Sequence, residues 1–228
     1  MPWIKAQVRK IKRIKTRGGF SSVFFSIRTA LLNRVIKYII IIKSKFSSSY
    51  VKNPFEVKIV KTKDIKFRIT PQCTPKLNRS HRFIKTPIGK CRYAGKVTKV
   101  LANEAEPIHK AKVFLAMQNR FQKNKTWEET FYYQECLKQI KNNKNFKGFN
   151  TWEEYKKKVL TDWDKLYENI KNNGYSSQKQ LNGSPTNEIE VAIADTGDIL
   201  LIDGIHRYSI CCILQIAHIP VIINLHHG

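Results

Sequence analysis

The sequence predicts an α+β fold: a small mixed β-sheet with packed helices, a helical insertion, and a basic N-terminal helix ahead of them. Three observations lead there. Apolar residues alternate with polar ones, or run together briefly, at 55–60, 189–202 and 219–225, which is how strands read. Between these, apolar residues recur every three or four positions, which is how helices read. The charge is also split. Residues 1–100 hold 26 Lys/Arg against 2 Asp/Glu, a net of +24, whereas residues 101–228 hold 16 against 15, a net of +1.

Residues 1–50 read as a basic extension. Phe24, Ile27, Leu31, Val35, Tyr38 and Ile42 are spaced 3, 4, 4, 3, 4, one face of an amphipathic helix. No acid precedes Glu56. Such a segment suits an anionic partner, either nucleic acid or an anionic membrane surface. A solvated Lys-rich surface is the plainer reading of the same charge.

Residues 51–228 are expected to form one domain, with first strands at 55–69 and a core at 161–228. An insertion at 70–160 separates them. In "FEVKIV" Phe55, Val57 and Ile59 alternate with Glu56 and Lys58, and "DIKFRI" continues the pattern. Residues 70–96, with three Pro and no firm period, are expected to be an irregular basic loop. From Glu106 the chain reads as helical, with Ile108, Ala111, Leu115 and Phe121 on one face. "TWEETFYY" at Thr126 and "TWEEYKKK" at Thr151 are capping-box signatures, and they account for the glutamate pairs without catalysis. The second box opens a long stripe, Trp152, Tyr155, Val159, Trp163, Leu166 and Ile170, which "NNGY" closes.

The last 41 residues read as strand, turn, strand, helix, strand. "EIEVAIA" and "ILLI" form a hairpin across "DTGD", "IHRYSICCILQIA" is a helix, and "IPVIINL" is a buried strand. Residues 186–228 carry a single Lys/Arg, Arg207, against five acids. Asp203-Gly204 ends a strand immediately before the helix that contains His206 and Arg207. First-turn amides have no intrahelical acceptor, and the helix dipole adds partial positive charge there. With an Arg fork and a Gly that lets the backbone approach, this corner suits a phosphate. Equally, Asp203 could cap the helix and pair with Arg207.

These residues carry a family resemblance. "LYENIKNNGY" from Leu166, "EIEVAIADTGDILLIDGIHRY" from Glu188 and "IPVII" from Ile219 resemble the ParB/sulfiredoxin superfamily (ParB-like nuclease domain) over about 65 residues. The D-G-x-H-R motif is Asp203, Gly204, Ile205, His206 and Arg207. The chain is also similar to a prokaryotic branch of that superfamily in which W-E-E-T-x-(F/Y)-Y and G-Y-x-S-Q segments precede the motif, here Trp127–Tyr133 and Gly174–Gln178. The resemblance implies a nucleotide-binding protein, a phosphotransferase such as a small-molecule kinase, or a nucleotide hydrolase. Its ligand would be a nucleoside di- or triphosphate, with Mg²⁺ as a companion ion. Asp203, Gly204, His206 and Arg207 would hold phosphate, and Glu188 and His206 would act in catalysis; Glu188 and Glu190 are both near enough in the chain to be the base, with Glu188 preferred because it opens the strand in that branch too.

Departures from the family narrow this. Sulfiredoxin-like enzymes place a catalytic Cys directly before the His-Arg pair, and Ile205 stands there. The CTP motif of partitioning proteins keeps Gly204 and Arg207, but Ile210 replaces its small residue. No helix-turn-helix reader is legible after the motif, so a centromere role is not expected. No compact Asp/Glu/His cluster suggests a nuclease metal, and no metal site is expected. The alternative function is a non-enzymatic nucleic-acid-binding protein using basic residues 1–100. Five cysteines without regular spacing fit a reducing compartment, and no secretory signal is legible. A cytoplasmic location is expected, with peripheral membrane attachment as a further option.

Overall fold

The computed structural model describes residue 35 and residues 37–69, 83–86, 89–92, 95–142, 146, 149–178, 180–181 and 187–228. Of the N-terminal stripe, Phe24, Ile27 and Leu31 lie outside the described residues. Val35, Tyr38 and Ile42 belong to a helix, α1, that spans residues 37–46 and includes residue 35.

The protein is mixed α+β, built on a seven-stranded mixed sheet. Its strands are β1 (Val57–Lys61), β2 (Phe67–Arg68), β5 (Lys96–Thr98), β6 (Glu106–Pro107), β7 (Ile189–Ile193), β8 (Ile199–Asp203) and β9 (His218–His227). The order is β1-β9-β7-β8-β2-β6, and β5 joins β9 outside that path. The long β9 pairs antiparallel with β1 through its first half and parallel with β5 through its end. Its other edge pairs parallel with β7. The predicted hairpin is present as antiparallel β7 and β8. Gly197 takes φ +83° in the turn, a left-handed backbone that favours glycine.

Alternation sorts these strands onto two buried faces. Ile189, Val191, Leu201, Ile219 and Val221 point into one core, beneath Tyr208 and Cys211 of the helix α6 (Ile205–Ile213). Ala192, Leu200 and Leu225 point the other way, into a smaller core with Ile69 and Val100. A sheet covered on both sides has little reason to alternate polar residues, so "ILLI" and "IPVII" read as continuous apolar runs. The Tyr208 hydroxyl reaches the carbonyl oxygens of Thr62 (3.1 Å) and Ile65 and pins α6 to the β1–β2 connection.

The insertion departs from its sequence reading in three places. Part of the expected loop at 70–96 is ordered: β3 (Phe83–Thr86) and β4 (Gly89–Arg92) form an antiparallel hairpin, and β5 follows. Residues 106–107 are an edge strand rather than a helix start. The edge suits Pro107, which has no N–H to give to a further strand. The helix α2 then runs over Lys112–Phe121 and buries Ala116 and Met117, leaving Leu115 exposed.

The long stripe forms α4 (Trp152–Tyr155), a π-turn (Lys156–Leu160) and α5 (Thr161–Asn173). The wider turn puts Leu160, not Val159, in the core beside Tyr155. With α3 (Phe131–Lys141), these elements enclose a second hydrophobic core containing Met117, Trp127, Tyr132, Cys136, Trp152 and Tyr155. Ile213 of α6 packs on it, so the insertion shares a helix with the sheet core.

Both capping segments start helical turns. The first is a full box: the Thr126 amide donates to Glu129 at 2.8 Å, and the Thr126 side chain takes part in return. The second is half a box. Thr151 accepts from the Glu154 amide at 3.2 Å, while the Glu154 carboxylate pairs with Lys158. Glu128 ties the two repeats together, accepting from Trp152 Nε1 at 2.9 Å and from Lys156 at 2.6 Å.

Candidate functional site

The strand-to-helix corner is the candidate site. β8 ends at Asp203, Gly204 follows at φ +87° and ψ 22°, and α6 starts at Ile205. Only glycine adopts that backbone without strain. Space at the corner is also short. A Cβ on Gly204 would meet the Ile189 Cα and the Arg207 guanidinium, each at 3.2 Å. Gly204 is the N-cap of α6 and has no side-chain cap bond; the Asp203 Oδ1 accepts from the Gly204 amide at 2.8 Å, just ahead of the first turn. The first intrahelical bond runs from the Tyr208 amide to the Gly204 carbonyl at 2.9 Å, so the first-turn amides of α6 precede the helical ladder.

Arg207 is half-buried and does not rely on Asp203. Its Nη1 donates to the Asn187 carbonyl and its Nη2 to the Glu188 carbonyl at 3.2 Å. Through this fork α6 is fastened to the start of β7. Glu188 itself is fully buried, and its carboxylate accepts from the Gln178 amide. The expected base is thus covered by the loop that follows α5. Tyr175 lies in the same place. Burial pushes its phenol up to about 12, with the neighbouring Arg207 guanidinium pulling the other way.

His206 faces the insertion. Tyr132 Oη lies 2.9 Å from His206 Nε2, and the Trp163 ring centroid is 3.9 Å from that of the imidazole. Tyr132 in turn packs on Trp127 and Trp163. Burial raises the Tyr132 phenol well above its ordinary value, so at neutral pH it keeps its proton in the bond with His206.

The structure therefore brings Glu188, Asp203, Gly204 and Arg207 to one corner and turns His206 toward an aromatic cluster behind it. Sequence reasoning missed four partners: Tyr132, Trp163, Tyr175 and Gln178. The signal was there, because Tyr132 lies in the W-E-E-T segment and Tyr175 and Gln178 lie in the G-Y-x-S-Q segment.

Two more features bear on chemistry. Cys211 is buried, which pushes its thiol up to about 12, and burial raises Cys136 and Cys212 as well. These thiols have no nucleophilic poise. Among the described residues, no three His, Cys, Asp or Glu side chains gather so as to hold a metal ion. A groove of about 610 Å³ lies elsewhere, between Lys61–Lys63 and Gln215–His218, and includes none of the motif residues.

No family model, curated protein or solved structure matches the chain. Among the described residues, no helix is long and apolar enough to cross a membrane.

Proposed function

We propose that the chain is a nucleotide-binding protein of ParB/sulfiredoxin-like fold that acts as a phosphotransferase or nucleotide hydrolase. The phosphates of a nucleoside di- or triphosphate, accompanied by Mg²⁺, rest on the β8–α6 corner. The observation that carries this reading is the left-handed Gly204 between a strand end and first-turn amides, with the Arg207 guanidinium beside it. Helix-start amides and a cation converging on a side-chain-free backbone favour a phosphate-sized anion. A guanidinium has five N–H groups, and the two bonds to Asn187 and Glu188 fix its plane while leaving others to turn toward a ligand.

In this reading His206 sets the first turn of α6 through Tyr132 and Trp163. Glu188, being covered, positions the Tyr175–Gln178 loop, and Asp203 shapes the corner through its bond with the Gly204 amide.

Calorimetry with ATP, ADP, CTP and GTP in the presence of Mg²⁺ tests the proposal. One of them binds the wild type, and Arg207→Lys, which keeps the charge and loses the fork, weakens that binding at least tenfold. Failure of all four nucleotides to bind overturns it. Steeply salt-dependent DNA or RNA binding in place of nucleotide binding would favour the basic residues 1–100 as the working surface.

A further inference from the structure

We propose that the outward face of α1 docks on an anionic lipid membrane. The helix is seated by one face only. Ile40 and Ser44 are buried, and the Ser44 hydroxyl lies within bonding distance of the Ile41 and Lys52 carbonyls, at 2.8 and 3.1 Å. Lys37 reaches over the Phe55 ring at 5.4 Å. The opposite face carries Val35, Tyr38, Ile42 and Phe46, which are 45, 67, 58 and 86% exposed. Their spacing of 3, 4, 4 makes them one continuous stripe. In a helix of a water-soluble surface the stripe faces the core. Here the core side holds Ile40 and Ser44, and the larger apolar stripe points outward.

Charge identifies the occupant. Residues 1–46 contain 12 Lys/Arg and no Asp/Glu. At about 100° per residue, Lys43 and Lys45 fall on opposite flanks of the stripe, about 95° and about 65° from its centre. Both are exposed. Long cations flanking an apolar stripe that includes Tyr and Phe can extend their stems and reach lipid headgroups while the stripe enters the acyl boundary. A second copy of the chain fits poorly, because a two-fold contact would set this acid-free segment against itself. Nucleic acid would answer the cations and leave the stripe in water. An anionic bilayer answers both. Phe24, Ile27 and Leu31 continue the spacing in sequence and lie outside the described residues.

The test is co-flotation of the full-length protein with vesicles. The wild type floats with phosphatidylcholine vesicles that contain phosphatidylglycerol, and floats far less with phosphatidylcholine alone. Ile42→Ser/Phe46→Ser lowers the partition coefficient at least tenfold, and so does Lys43→Glu/Lys45→Glu. Unchanged thermal unfolding of both variants shows that the fold is kept, as expected for exposed positions. No flotation of the wild type overturns the proposal. So does flotation that survives Ile42→Ser/Phe46→Ser, which would mean simple charge attraction, or equal flotation with neutral vesicles. A wild-type dimer by light scattering that Ile42→Ser/Phe46→Ser dissociates would assign the face to self-association and overturn it too.

Discussion

Gly204→Ala probes the corner directly, and the structure supplies its magnitude. An L-residue forced to φ +87° costs about 1–2 kcal/mol in backbone sterics alone. The new methyl then meets the Ile189 Cα at 3.2 Å, and main chain in the middle of a packed sheet cannot swing aside. It also meets the Arg207 guanidinium, held by the Asn187 and Glu188 carbonyls. Crowding of this kind adds about 1 kcal/mol or more, so the total is about 2–3 kcal/mol. Gly197→Ala is the internal control. It has nearly the same φ, +83°, and nothing within 4 Å of its Cβ position, so it carries the backbone cost without the crowding. The entropy that alanine removes from the unfolded chain is the same in both variants and cancels. For a chain of this size each kcal/mol shifts Tm by about 2–4 °C. Thermal unfolding followed by circular dichroism should therefore show Gly204→Ala falling by roughly 4–12 °C, clearly more than Gly197→Ala. Equal losses would refute the close approach of β7, Gly204 and Arg207, and with it the geometry on which the phosphate proposal rests.

Three further predictions follow from the described contacts. Tyr132→Phe removes the hydroxyl that meets His206 and should cost about 1 kcal/mol in denaturant unfolding, with a shift of the His206 Nε2 resonance; no change in either would mean the bond is not made. The Thr126 amide holds the Glu129 carboxyl below its usual range, and the Ala102 amide does the same for Asp195; for Glu128 burial acts upward, and the bonds from Lys156 and Trp152 outweigh it. Folded values below unfolded ones mean that this stability is complete above about pH 4.3 and is lost as the pH falls through the folded values. Tm should accordingly drop from about pH 5 to about pH 3, and less in Glu129→Gln; a flat profile would refute the assignment. Lastly, Cys136 and Cys211 should resist a thiol reagent at neutral pH in a Cys73→Ser/Cys91→Ser/Cys212→Ser background until the protein unfolds, because both are buried and burial raises both thiols. Rapid labelling of the native state would contradict that burial.

The C-terminal half of the sheet was legible because its signals are local. β7, the Gly197 turn, β8, Gly204, α6 and β9 follow one another within 40 residues, and period and turn chemistry specify each in turn. The capping segments were legible for the same reason, down to the Thr126–Glu129 reciprocity. What sequence could not supply was register and long-range partnering. Pro107 reads as a helix start until Arg68 and Phe67 are known to lie opposite Glu106 and Pro107, which makes that segment a sheet edge. The π-turn at Lys156–Leu160 has no local signature; it buries Leu160 fully and leaves Val159 packed against the core from its edge. Glu128 read as half of a glutamate pair in a capping segment, and its bonds to Trp152 and Lys156 depend on two repeats meeting in space.

The same distinction explains the candidate site. D-G-x-H-R was legible as a corner, with two readings of its side chains: facing a ligand, or Asp203 as a helix cap paired with Arg207. In the folded chain three of them first hold the corner together. Asp203 accepts from the Gly204 amide, Arg207 ties α6 to the start of β7, and His206 ties it to Tyr132 of the insertion and Trp163 of α5. If phosphate binds here as proposed, these ties bear on how strongly. Donors that must be ordered when a ligand arrives lose part of the interaction to entropy, whereas donors already fixed by packing do not. The first-turn amides of α6 are fixed from two sides, by the aromatic cluster behind His206 and by the Arg207 fork beneath β7. The insertion, which the sequence suggests is an interruption of the domain, joins α5 in holding the helix start in place through Tyr132. A nucleotide site here would depend on Tyr132 and Trp163 as well as on the motif itself.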